Sequence, residues 1–245
     1  MITIKSQFQY SPYPTGILGN FFAPEAFEVL ANEYPGKELF KKMDTLGEKY
    51  SLSEVNNPRA YHKFLASSPA WKSVHKEIKS DGFIASVFEE LSRHKVDLKV
   101  DDHLPLKFSG IAGILRQLRS GRMPRYITTR FEFSLMPSLG GSILPHTDST
   151  TKLVTIVVFL NKNTEWNEAY GGDFAICRPR DESNSFNLGN TYVDFEDVDQ
   201  VARIPLIPNT GSLFIKTYDS WHCVFPMKGK EGLDRKTITI NLELA

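Results

Sequence analysis

The sequence predicts a mainly β fold with N-terminal helices (α+β), and three patterns support it. After residue 125, short runs rich in β-branched and aromatic residues recur at 129–135, 153–160, 172–177, 211–216 and 236–244, bounded by Gly, Pro or Asn. Before residue 125, apolar residues instead recur at helical spacing. Finally, a succession of short strands ending in one at the C-terminus suits a jelly-roll-like double sheet with helices packed outside it. The chain therefore divides into an N-terminal helical region, 1–125, and a β core, 126–245, expected to form one integrated domain.

Residues 24–34 place Phe27, Leu30, Ala31 and Tyr34 on one helical face, and Pro24 suits the first helical position, where an N–H is not needed. Ser68 followed by Pro69 gives the same start signal with a polar cap, opening a helix over 69–78. Residues 83–91 continue the helical spacing after Asp81 and Gly82. Within the β half, residues 178–203 are polar and acidic and too long for a turn. They read as an insertion between strands that acts as a lid. There is no internal repeat.

Charge and composition exclude several classes. Lys and Arg total 29 and Asp and Glu total 29, so no net field favours nucleic acid or an anionic membrane. No apolar run approaches the roughly 18–20 residues that span a bilayer, and the first residues lack a signal-peptide core. Two cysteines, Cys177 and Cys223, make no disulfide framework. A reducing, cytoplasmic setting is expected.

The chemistry concentrates in four places. His146 and Asp148 precede the apolar run 153–160, and in an extended segment residues two apart face the same way. A distant histidine, His222, follows the strand at 211–216 and would complete two imidazoles and a carboxylate on one side of a metal. That set leaves neighbouring positions open and is the facial triad of non-haem Fe(II) oxygenases. Arg235 then enters an apolar strand with Thr237 on its own face, a fork and hydroxyl suited to a carboxylate. Each piece alone reads equally well as a loop hydrogen bond, a packed histidine or a surface arginine. Their order in one β-rich half carries the signal. A second pair, His75 and Glu77, lies in a predicted helix, where residues two apart diverge by about 200°, and reads as solvated surface.

This arrangement resembles the Fe(II)/2-oxoglutarate-dependent oxygenases, in particular their prolyl 4-hydroxylase-like branch. The stretch Val157-Val158-Phe159-Leu160-Asn161 with Gly171-Gly172-Asp173-Phe174 is similar to that branch's strand and double-glycine signature. Residues 208–214 leading to His222, Val224 and Pro226 resemble its second-histidine segment, and Tyr13-Pro14, Phe21-Phe22 and Pro24–Phe27 resemble the opening of bacterial members. The resemblance implies a double-stranded β-helix core, with iron held by His146, Asp148 and His222. It also implies 2-oxoglutarate held at its distal carboxylate by Arg235 and Thr237, O2 as second co-substrate, and room for ascorbate. One departure is Phe159, where some members carry a tyrosine for that carboxylate, and Lys152, Thr155 and Tyr126 are polar alternatives. Arg130 and Glu132, which alternate with Ser134 on one strand face, are candidates to touch substrate. The substrate, whether a small molecule or a peptidyl residue, and the oligomeric state are not specified. Two other classes stay open: a cupin-like isomerase or ligand-binding protein without oxygenase activity, and a zinc hydrolase, which lacks a helical His-Glu-x-x-His.

Overall fold

The computed structural model describes residues 2–43, 48–98 and 127–244. The boundary expected near residue 125, and Tyr126, lie outside them. In chain order the elements are β1 (Ser6–Gln9), β2 (Thr15–Leu18), α1 (Pro24–Asn32), β3 (Lys41–Lys42), β4 (Tyr50–Ser53), α2 (Pro58–Ser67), α3 (Pro69–Ile78) and α4 (Asp81–Arg93). Eight strands follow: β5 (Ile127–Pro137), β6 (Ile143–His146), β7 (Lys152–Phe159), β8 (Phe174–Pro179), β9 (Val198–Ile204), β10 (Gly211–Ile215), β11 (His222–Val224) and β12 (Asp234–Leu244).

These last eight strands pass back and forth between two antiparallel sheets. One contains β10-β7-β12-β5 and the other β6-β11-β8-β9. That order is the double-stranded β-helix, with one cavity enclosed between the sheets. The larger sheet is extended at both ends by the N-terminal region, through β2 and β1 beside β10 and through β4 and β3 beside β5. The N-terminal region is thus not simply helical. Its strands are two to four residues long and carry mixed sequences such as Ser6-Gln7-Phe8-Gln9, so they exist by pairing with edges that the core supplies rather than by their own pattern. Helix α2 was also hidden in the sequence, although Pro58 opens it and Tyr61 and Leu65 are buried one turn apart.

Strand alternation separates the faces of the larger sheet. Phe131 and Phe133 of β5, Val154, Ile156 and Val158 of β7, and Ile238 and Ile240 of β12 join one apolar cluster with the helices. The residues between them, including Arg130, Glu132, Ser134, Arg235 and Thr237, face the cavity instead. The helical starts behave as the sequence suggests: Ser68 Oγ accepts the Trp71 N–H at 3.2 Å, capping α3. Residues Asp81 and Gly82 belong to the first turn of α4, where Ser80 is the cap. His75 corrects the expected solvated surface, since it is half-buried with its ring 5.8 Å from Tyr61. Among the described residues, no helix is long and apolar enough to cross a membrane.

Trp71 joins helices to sheet. It is fully buried, meets Phe133 edge-on at 4.7 Å, and donates its indole N–H to Leu30 O at 3.2 Å. Trp71→Ala should cost about 3–5 kcal/mol of stability, read as a lower denaturant midpoint. An unchanged midpoint would show that helices and sheet are not coupled through this ring.

Candidate metal centre

Strands β6 and β11 pair with His146 directly opposite His222, and their ring centroids lie 4.3 Å apart. Each Nδ1 sits 2.8 Å from the carbonyl two residues earlier in its own chain segment, Leu144 for one and Ser220 for the other. A carbonyl only accepts, so Nδ1 carries the proton and the Nε2 lone pair is left for a ligand. This is how metal-binding histidines are ordinarily oriented. Asp148 closes the group: its Oδ1 is 3.7 Å from His146 Nε2 and its Oδ2 is 3.9 Å from His222 Nε2. One ligand atom from each residue lies within 4.8 Å of the others, a spacing that could hold a metal ion.

The geometry differs from the expected extended pair. Strand β6 ends at His146, and Asp148 sits in the following loop with φ +74°. A left-handed backbone at a non-glycine residue carries strain, and side-chain contacts hold it in place. Lys152 Nζ lies 2.6 Å from Asp148 Oδ1. Thr155 Oγ1 lies 3.1 Å from Oδ2 and 3.0 Å from Asn241 Oδ1, and its single proton serves one of the two at a time. Burial alone would raise the Asp148 pKa, but Lys152 and both histidines outweigh it and hold the carboxylate well below its ordinary value. Burial, reinforced by His146, pushes His222 down to about 3, so its imidazole is neutral.

Arg235 projects from β12 into the same cavity and is 3% exposed, although it carries a full charge. Its Nε donates to Gly172 O at 2.6 Å, and its guanidinium carbon lies 5.2 Å over the Phe159 ring. Among the described residues, nothing hydrogen-bonds or ion-pairs with its terminal nitrogens. Burial lowers its pKa to about 10, with Asp173 and Tyr34 opposing. An unneutralised buried guanidinium is costly, and the cavity is where an anion can meet it. Thr237 is the next inward residue of β12. Phe159 offers the guanidinium a ring face rather than a hydroxyl, while Lys152 and Thr155 contact Asp148, away from Arg235.

The cavity measures about 290 Å³. Its apolar lining includes Val157, Phe174, Phe214 and Val224, with the Phe174 and Phe214 rings against His222, and its polar lining includes Lys49, Asn56, Arg130, Glu132, Asn190 and Tyr192. Both predicted substrate candidates are therefore on its wall. Glu132 is buried against Lys49 at 2.6 Å and accepts from Ser134 Oγ at 2.8 Å. Arg130 Nε is buried without a hydrogen bond, with Glu243 Oε1 3.6 Å away. Sequence reasoning missed Lys49 and Asn56, which arrive from the N-terminal region. It also missed Tyr192, whose ring stacks on His146 at 5.1 Å.

The expected insertion needs redrawing. Residues 178–179 end β8 and 198–203 belong to β9, a core strand paired with β8, so the excursion is 180–197. It is fastened to the segment that carries His146 and Asp148: Thr147 Oγ1 donates to Asn187 O at 2.7 Å and Val193 N to Pro145 O at 3.2 Å. Trp221 is buried packing. Cys177 and Cys223 are buried free thiols, 3.5 Å apart.

No protein-family model matches this chain, and no curated protein does. Among solved structures it is similar to a Pseudomonas putida prolyl-4-hydroxylase, at 13% identity over 96% of this chain and 94% of that one, TM-score 0.49. A Trichoplax adhaerens prolyl hydroxylase in complex with a hypoxia inducible factor oxygen degradation domain peptide fragment matches at 13% identity over 94% and 83%, TM-score 0.49. HygX from Streptomyces hygroscopicus, with nickel and 2-oxoglutarate bound, matches at 11% over 94% and 82%, TM-score 0.45. At these identities the likeness concerns the outline of the fold alone.

The depressed His222 pKa has a measurable consequence. An unfolded chain protonates this histidine below about pH 6.5, whereas the folded one stays neutral down to about 3. The unfolded state then binds more protons, so stability present above pH 6.5 is lost as the pH falls toward 3. Denaturant midpoints of the metal-free protein should fall over that window, and His222→Gln should flatten the slope. An equal slope in both proteins would show that His222 is not held neutral.

Proposed function

We propose that the protein is an Fe(II)- and 2-oxoglutarate-dependent oxygenase that hydroxylates a polar substrate. The observation that carries this reading is the convergence, in one cavity, of two Nε2 lone pairs and an ionised carboxylate with a buried guanidinium whose terminal nitrogens meet no acid. The donor set fits a divalent iron: neutral imidazoles and one carboxylate leave the ion charge to balance an incoming anion. Iron there would supply the oxidative step, coupling decarboxylation of a 2-oxo acid by O2 to oxygen insertion into a C–H bond.

The chain's own residues do the rest. Leu144 and Ser220 carbonyls fix the tautomers of His146 and His222. Arg235, assisted by Thr237, takes the distal carboxylate of 2-oxoglutarate with its terminal nitrogens, and Gly172 O and the Phe159 ring hold the guanidinium plane. Val157, Phe174, Phe214 and Val224 make the inner cavity dry, which strengthens these charge contacts and keeps water from the reacting centre. Tyr192 and the 180–197 excursion cover its mouth. Arg130 and Glu132 face the space left for substrate, and their charges favour a molecule bearing polar or ionic groups. A cupin-like protein that needs no 2-oxo acid would leave the buried Arg235 without an occupant. In a zinc hydrolase Glu132, the one further cavity carboxylate among the described residues, would have to act as base, yet it is held by Lys49 and Ser134.

His146→Ala, Asp148→Ala and His222→Ala should each remove most bound metal. Arg235→Ala should leave the metal in place while weakening 2-oxoglutarate by about thirtyfold or more, since truncating one partner of a buried charge pair costs about 2–5 kcal/mol. Succinate formation and metal content measure both. Full metal occupancy in Asp148→Ala, or parental 2-oxoglutarate affinity in Arg235→Ala, would contradict these assignments.

A further inference from the structure

Lys152 opens β7 four residues after Asp148, and its ammonium lies 2.6 Å from Asp148 Oδ1 with the side chain 12% exposed. Among the described residues, Asp148 is its one ion-pair partner. Glu243, beside it in register across β12, turns its carboxylate toward Arg130 Nε at 3.6 Å. The other oxygen, Oδ2, has a contact that can let go. Thr155 can donate instead to Asn241 Oδ1, already 3.0 Å away. Among the described residues, the Lys152 ammonium has no second hydrogen-bond or ion-pair partner beside Asp148. The two oxygens of Asp148 are therefore unequal, one held by a charge and the other by a hydroxyl with a second acceptor.

We propose that Lys152 is a positioning residue that keeps Asp148 Oδ1 out of a bound metal's coordination shell, so that the carboxylate ligates through Oδ2 alone. This rests on the oxygenase reading for its purpose. In an octahedral ion, two imidazoles and one carboxylate oxygen leave three positions, two for the oxygens of a 2-oxo acid and one for O2. A carboxylate using both oxygens would leave only two. The ammonium also sets a positive charge close to a divalent ion, a repulsion that weakens metal binding. Lys152 thus trades affinity for an open position.

That trade gives opposite signs that a merely supportive contact would not. Lys152→Met in the full chain, loaded anaerobically with Fe(II), should bind the metal as tightly as the parent or tighter in competition with a chelator. With 2-oxoglutarate present, the paramagnetic resonance signal of its nitric oxide adduct, a stand-in for O2, should fall at least tenfold. Lys152→Arg should restore it, and Lys152→Ala carries the same expectations as Met if the methionine variant does not fold. Removing a group that only supports a metal ligand typically costs about 10–100-fold in affinity. A loss of that size in Lys152→Met, or a parental nitric oxide signal, would overturn the proposal. Failure of the parent to bind 2-oxoglutarate would instead defeat the oxygenase reading. Metal affinity would then decide for Lys152 alone, tighter supporting it and looser overturning it.

Discussion

Pairing of β6 with β11 sets His146 opposite His222, and the rest of the site is arranged around that register. A slip of either strand by one residue would turn its imidazole to the other face of the sheet. The pairing is short, with β11 only three residues long, so neighbouring contacts secure it. Strand β8 pairs with β11 on its other side, and Ser220 Oγ reaches Thr147 O at 3.3 Å. Lys216 Nζ donates to Thr147 Oγ1 at 2.9 Å, tying β10's exit to the residue between His146 and Asp148. The histidine pair is therefore held by the core itself, and only Asp148 depends on a loop.

Two buried charges then define what the cavity can accept. Asp148 is compensated within the protein, by Lys152 and the histidines around it. Arg235 is not, since its terminal nitrogens meet no acid among the described residues. On the proposed reading, a dianion reaching from the metal to the guanidinium would satisfy both charges, so a 2-oxo dicarboxylate would suit this site better than a neutral ligand. Another part of the wall is charged, with Lys49 paired to Glu132 and Arg130 two residues before it on the same strand face.

Much of this was legible in the sequence because it depends on residue types at fixed positions in strands. The order His146, Asp148, His222, Arg235, set among β-branched runs, named the four residues that the fold brings into one cavity. Their local mechanics were less legible. Asp148 reaches the site through a left-handed backbone rather than strand spacing, and neither Lys152 nor Thr155 announces its contact with it. Lys49 and Asn56 were hidden for a topological reason: they join the site only because β4 adds to an edge of β5 more than seventy residues away in sequence. Strand β9 reads as insertion because its middle is exposed at the consecutive residues Asp199, Gln200 and Val201 and again at Arg203, so it shows no apolar alternation.

The most direct measurement is anaerobic optical titration of the Fe(II)-loaded protein with 2-oxoglutarate. A visible charge-transfer band, appearing only when both are present and saturating at one equivalent per chain, is expected when the 2-oxo acid chelates an ion held by His146, Asp148 and His222. Tight Fe(II) binding with no such band, and no displacement of bound metal ligands by 2-oxoglutarate, would contradict it.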